Sequence, residues 1–121
     1  MAARCRQRFL VAAAQVPLWG HHSVSGIFDS KMTIVKGTMT KVEWVNPHIF
    51  VFVTGDNKEW KFESSPPAFW RSVGVRSADF AKGISQQVTI EAQPARSAAP
   101  YGYLRKITFA NGDFLEATNA N

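Results

Sequence analysis

Few side chains in this sequence could do chemistry. They are three histidines (His21, His22 and His48), two glutamates at alternating positions (Glu43 and Glu63), and a dense set of aromatics. If the chain is cut after Gly20, His21 becomes the N-terminal residue. Its free α-amine and imidazole then form a chelate, and one more imidazole completes an all-nitrogen set. Copper(II) favours such a tetragonal nitrogen arrangement. His48 supplies the natural third nitrogen. His22 follows His21 directly, and adjacent side chains of an extended segment point to opposite faces. His21, His22 and His48 are therefore the metal-ligating candidates, with copper as the candidate ion. The competing reading leaves His21 and His22 solvated and has His48 hydrogen-bond its own corner.

Glu43 and Glu63 offer a second chemistry. Facing each other on neighbouring strands, two carboxylates could divide general acid and general base work. Both stand among lysines at alternating polar positions, the pattern of a solvent-facing row. The aromatics Trp44, Phe50, Phe52, Trp60, Phe62, Phe69 and Trp70 are the third candidate. Small barrels use exposed rings to stack bases or sugars, but they must also be filled, and most of these rings alternate in phase with other apolar residues. Trp70, beside Arg71 on a short helix, is the ring expected at the surface. No serine stands in a nucleophile-elbow pattern, and no glycine-rich loop could cradle a phosphate.

The first twenty residues set the compartment. Arg4, Arg6 and Arg8 are followed by the apolar run Phe9 to Val16, then Pro17-Leu18-Trp19-Gly20 and a polar switch at His21. Basic, apolar, cleavage site is the order of a secretory signal, and the run is too short for a membrane-spanning helix. The expected organisation is a signal over residues 1–20 and one domain over residues 21–121, in the periplasm or secreted. Removing the signal leaves eleven basic and nine acidic residues, a net +2 against +5 for the whole chain. No basic cluster remains, so a nucleic-acid footprint is not expected. The only cysteine, Cys5, lies within the signal. The mature domain then has no thiol nucleophile, zinc–cysteine site or disulfide. The expected partner is a small ligand, a metal or another protein.

The elements that must position these residues centre on Lys41 to Val53. Val42 and Trp44 alternate with Lys41 and Glu43 as in a half-buried strand. Asn46-Pro47 makes a corner, since Pro47 cannot donate to a sheet ladder. Ile49 to Val53 then forms a β-branched and aromatic run. Around this corner the sequence predicts a first strand over 32–44, bent or bulged at Gly37, and a second over 48–54. A turn at Gly55-Asp56-Asn57 leads to a third over 59–63. A helix over 68–73 should begin near Ser64, Ser65 or Pro67 and stop at Gly74. A further helical turn over 77–83 takes Ser77 as its cap. The fourth strand covers 87–92 and the fifth 103–109, separated by a long loop over 93–102. Asn111-Gly112 makes a hairpin to a short sixth strand over 114–117. The fold class is all-β with one short helical connection, a small five- to six-stranded antiparallel barrel of OB-fold type.

The His21-His22-Ser23 start, Phe28-Asp29, Gly37 and Trp44-Val45-Asn46-Pro47-His48 carry a resemblance, as do Trp60 to Glu63 and the spacing from Pro67 to Gly74. Together they resemble a family of small secreted proteins of Gram-negative bacteria catalogued as a domain of unknown function. The resemblance implies an exported small β-barrel and no reaction. Three functions stay open. The first is a non-enzymatic binding or accessory domain, metal-binding in its specific form. The second is oligosaccharide or nucleic-acid binding on the barrel face. The third is a small enzyme using the barrel-mouth carboxylates.

Overall fold

The computed structural model describes residues 25–117. The residues of the expected signal, with His21 and His22, lie outside that range. Strand β1 (Thr33–Glu43) is the one around which the others are arranged. Its first half pairs antiparallel with β4 (Gln87–Pro94), and its second half with β2 (Phe50–Gly55). The changeover falls beside Gly37. A Cβ on Gly37 would overlap the Thr54 carbonyl, and one on Gly55 would overlap the Lys36 carbonyl. Two facing glycines thus let two backbones approach at the bend. The register shifts between Met39 and Lys41, a bulge that adds twist.

Strand β3 (Lys58–Glu63) follows β2 through Asp56 and Asn57, whose φ angles are 54° and 60°. Two left-handed residues of this type make the tight turn whose twist matches a hairpin. Strand β5 (Tyr101–Phe109) pairs antiparallel with β4. Its first residues pair parallel with Lys61 to Glu63 of β3. That contact closes a five-stranded barrel, and β6 (Phe114–Glu116) adds to the far half of β5. The expected five- to six-stranded barrel forms, antiparallel in every pairing but the parallel closure of β3 with β5. Every connection reverses the chain, so β1, β3 and β5 run the same way. Closure joins two odd-numbered strands and must be parallel. This is the OB-fold arrangement.

The connection from β3 to β4 carries α1 (Pro67–Ser72) and α2 (Ser77–Ala81). Pro67 opens α1, where its missing N–H costs nothing. Gly74 ends it at φ 84°, a conformation that side-chain-bearing residues rarely adopt. The expected serine caps are absent. The cap position of α1 is Pro66, with no side-chain hydrogen bond. That of α2 is Arg76, whose backbone N–H donates to Asp79 Oδ2 at 2.8 Å. Ser77 is already the first helical residue.

Trp70 is not at the surface as expected: it is 1 % exposed. Its ring meets Phe80 edge-on at 5.1 Å, and Phe80 meets Trp44 at 5.7 Å. The two short helices turn their large residues inward and seal a barrel whose strands supply Val51, Phe62, Ile90 and Leu104. Arg71, one residue on, points to solvent.

The expected long loop is also shorter. Strand β4 continues to Pro94, and β5 starts at Tyr101. Ala95 forms a bridge with Phe28, Asp29 N–H donates to the Pro94 carbonyl at 2.8 Å, and Arg96 N–H donates to the Ile27 carbonyl at 2.9 Å. The segment leading into β1 is the missing partner that extends β4. Among the described residues no helix is long and apolar enough to cross a membrane.

Candidate functional site

The Asn46-Pro47 peptide is cis and delivers the chain to β2. From His48 onward burial alternates: Ile49, Val51 and Val53 are fully buried, while His48, Phe50 and Phe52 are half-buried on the outer face. A strand's two-residue period requires this. The ladder continues past the named strands, because Ser64 N–H donates to the Ile49 carbonyl at 2.7 Å. His48 is thereby held against the end of β3.

His48 Nδ1 lies 3.2 Å from the Ser64 carbonyl oxygen. A carbonyl can only accept, so Nδ1 carries the proton. In the neutral ring Nε2 then presents a lone pair. It points towards Glu63 Oε2 at 3.8 Å, with 35 % of the histidine side chain and 17 % of the glutamate side chain exposed. That separation is beyond hydrogen-bond length but suits an ion pair when the ring is protonated. The other carboxylate oxygen, Oε1, accepts from the Tyr101 hydroxyl at 2.7 Å. Burial of the phenol raises the Tyr101 pKa above the ordinary tyrosine range, and the hydrogen bond to Glu63 and its charge add to the effect.

The next layer holds these three in place. Phe28, 2 % exposed, stacks on Tyr101 with centroids 5.5 Å apart and meets Tyr103 edge-on at the same distance. Ser65 Oγ and the Tyr103 hydroxyl are 3.4 Å apart. Arg105 lies over the Tyr103 ring at 4.9 Å and donates through Nε to Gln93 Oε1 at 2.7 Å. Gln93 in turn donates to the Asp29 carbonyl at 3.0 Å. The segment that emerges from residues 21–24 is thus anchored beside Tyr101, one side chain away from Glu63 and two from His48.

Of the three candidate histidines, the structure places His48 at a partly open site with a carboxylate. His21 and His22 lie outside the described residues. Among the described residues no group of three His, Cys, Asp or Glu could hold a metal alone. The facing pair expected of Glu43 and Glu63 does not form. Both are register partners of Phe50, one on each side of β2. Two strand spacings put them about 10 Å apart. Nor is Glu63 a solvent-facing residue, because the parallel closure lays β5 beside it.

The outer face of β1, β2 and β3 carries two cross-strand rows, Glu43–Phe50–Glu63 and Lys41–Phe52–Lys61. Lys61 Nζ sits 4.3 Å above the Phe50 ring and Lys41 Nζ 5.4 Å from the Phe52 centroid. Lys41 also pairs with Glu43 at 3.0 Å. Core is the correct reading for Phe62 and Trp70, whereas Phe50 and Phe52 face outward.

The profile of a family of unknown function, DUF6152, matches residues 9–104. The chain belongs to the DUF6152 family. The matched span contains His21, His22, His48, Glu63 and Tyr101, and ends within β5, before β6. The family description assigns no reaction, and no curated protein matches the chain.

Tyr101, Tyr103 and Ser64 stand in no motif that marks them as site residues. The loop expected over 93–102 takes in Tyr101, although Tyr101-x-Tyr103 already has strand alternation. The signal was the period of two running back from 109 past Gly102.

Proposed function

We propose that this DUF6152 protein is an exported, non-enzymatic accessory domain of the periplasm that binds a metal ion, copper in the first instance. His48 acts from the barrel, and His21 and His22 act from the mature N-terminus. The observation that carries this reading is the orientation of His48. Its Nδ1–H is committed to the Ser64 carbonyl, and its Nε2 lies 3.8 Å from a carboxylate oxygen of Glu63 on a partly exposed side chain. Metal-ligating histidines are commonly fixed in this way, one nitrogen donating to a carbonyl and the other left for the ion. Further support comes from reach. Three residues separate His21 from Ser25, so the Cα of His21 can lie up to about 14 Å from that of Ser25. The Ser25 carbonyl accepts from Arg96 Nε at 3.3 Å, and Phe28, three residues on, stacks on Tyr101, the partner of Glu63. The basic–apolar–glycine order of residues 4–20 supports export.

Copper(II) and zinc(II) titration tests it, using the full chain, the form that begins at His21, and that form with His48→Ala. The reading expects stoichiometric copper binding by the form beginning at His21, and a large loss both with His48→Ala and when residues precede His21. Weak, non-stoichiometric binding by every form would sink it.

The outer face supports a second reading, recognition of an oligosaccharide. Phe50 and Phe52 present half-exposed rings, and the flanking lysines and glutamates balance in charge, which disfavours a polyanion. Intrinsic tryptophan and tyrosine fluorescence during titration with neutral oligosaccharides, for wild type and Phe50→Ala, separates this from metal binding.

A further inference from the structure

The geometry points to Glu63 as the carboxylate ligand of the metal site, with Tyr101 as the residue that positions it. This rests on the proposed metal-binding role and adds an oxygen donor to what would otherwise be an all-nitrogen site. Two donors on one tetrahedral ion, each about 2.0–2.2 Å from it, lie roughly 3.4 Å apart. His48 Nε2 and Glu63 Oε2 are 3.8 Å apart. For a tetrahedral ion such as Zn(II) the excess is a few tenths of an ångström, which small side-chain rotations close; the tetragonal geometry of Cu(II) requires a larger rotation. Both side chains are also held through their other polar atom, as ligands usually are. The second nitrogen of the imidazole is bonded to a carbonyl, and the second oxygen of the carboxylate accepts from a tyrosine at 2.7 Å. Such outer partners fix ligand orientation and typically change metal affinity about 10- to 100-fold when removed.

Tyr101 is itself held by the Phe28 ring, so the carboxylate is aimed before an ion arrives. An imidazole and a carboxylate together suit a divalent ion such as Zn(II) or Cu(II) rather than the soft Cu(I).

The test measures Zn(II) and Cu(II) affinity, by competition with a chelator, for wild type, His48→Ala, Glu63→Gln, Tyr101→Phe and the double variant Glu63→Gln/Tyr101→Phe. Both the full chain and the form beginning at His21 are used. Glu63→Gln is expected to weaken binding about 100-fold and Tyr101→Phe about 10-fold. The tyrosine effect should vanish in the Glu63→Gln background, because positioning requires the positioned ligand. A merely structural tyrosine would weaken both backgrounds alike. The Cu(II) EPR spectrum should move towards fuller nitrogen ligation in Glu63→Gln.

If wild type binds, His48→Ala abolishes binding and Glu63→Gln changes neither affinity nor spectrum, Glu63 is no ligand and the histidine reading stands alone. If wild type does not bind, both readings fall. Should Glu63→Gln fail to fold, the zinc-induced infrared difference spectrum of wild type decides. The proposal requires a shift of a carboxylate band, and its absence overturns it.

Discussion

The indole N–H of Trp70 donates to the Ser64 hydroxyl at 3.1 Å, with both residues buried. The same serine gives its carbonyl to His48 and its N–H to Ile49. One residue thus ties the helical cap to the corner that presents the candidate ligand. Ser64→Ala leaves the indole donor buried without a partner, which costs about 1–3 kcal/mol. Urea denaturation should show a lower midpoint with an unchanged slope. A midpoint equal to wild type would mean that the bond contributes nothing net.

Trp70 seals the barrel by volume as well as by hydrogen bonding. Trp70→Ala removes a fully buried ring that packs on Phe80 and Phe69, and losses of this kind run to about 3–5 kcal/mol. Trp70→Phe keeps part of the packing and should fall between wild type and the alanine variant. Equal stability of the alanine variant and wild type, read by thermal unfolding, would contradict the buried placement.

The bend in β1 gives a sharper contrast. Gly37→Ala drives a methyl group into the Thr54 carbonyl, whereas nothing lies within 4 Å of a methyl group on Gly26. The first substitution should cost more than about 1 kcal/mol, and the second should stay within roughly 0.5 kcal/mol of wild type. Parallel denaturation curves compare them. Similar losses at the two positions would argue against the close approach of β1 and β2.

Tyr101 ties stability to alkaline pH. Burial, then Glu63, raises its pKa in the folded protein above that of the unfolded chain. A raised pKa means that the folded state holds the proton more tightly. The resulting stabilisation is complete below the unfolded phenol value near ~10 and is lost as pH rises through the alkaline range. Wild type should lose stability more steeply than Tyr101→Phe between about pH 9 and pH 11.5, measured as urea midpoints. Parallel curves for the two proteins would remove Tyr101 as the cause.

Much of this protein is local and therefore legible in the sequence. The alternation through Ile49 to Val53, the Asp56-Asn57 turn, Pro67 at a helix start and Gly74 at its end each depend on neighbours a few residues away. Local signals of this kind place all six strands and the helical connection between the third and fourth. The bent first strand follows from Gly37 for the same reason. His48 could be singled out because a histidine directly after Asn46-Pro47 has its position set by the corner alone.

What tertiary structure decided is the company each residue keeps. Glu63 alternates with Lys61 and Glu59 as a solvent-facing residue would, and only the parallel pairing with Tyr101 to Tyr103, almost forty residues later, half-buries it beside a phenol. Trp70 could face either way on a six-residue helix until the open barrel end beneath it claimed the ring. Phe28, in a segment with no strand pattern, became part of the site because Ala95 offered it a bridge. Sequence fixes short-range conformation through sterics and period. Burial and hydrogen-bond partnership depend on which distant strands meet when the barrel closes, and that choice made a paired site out of one histidine and one glutamate.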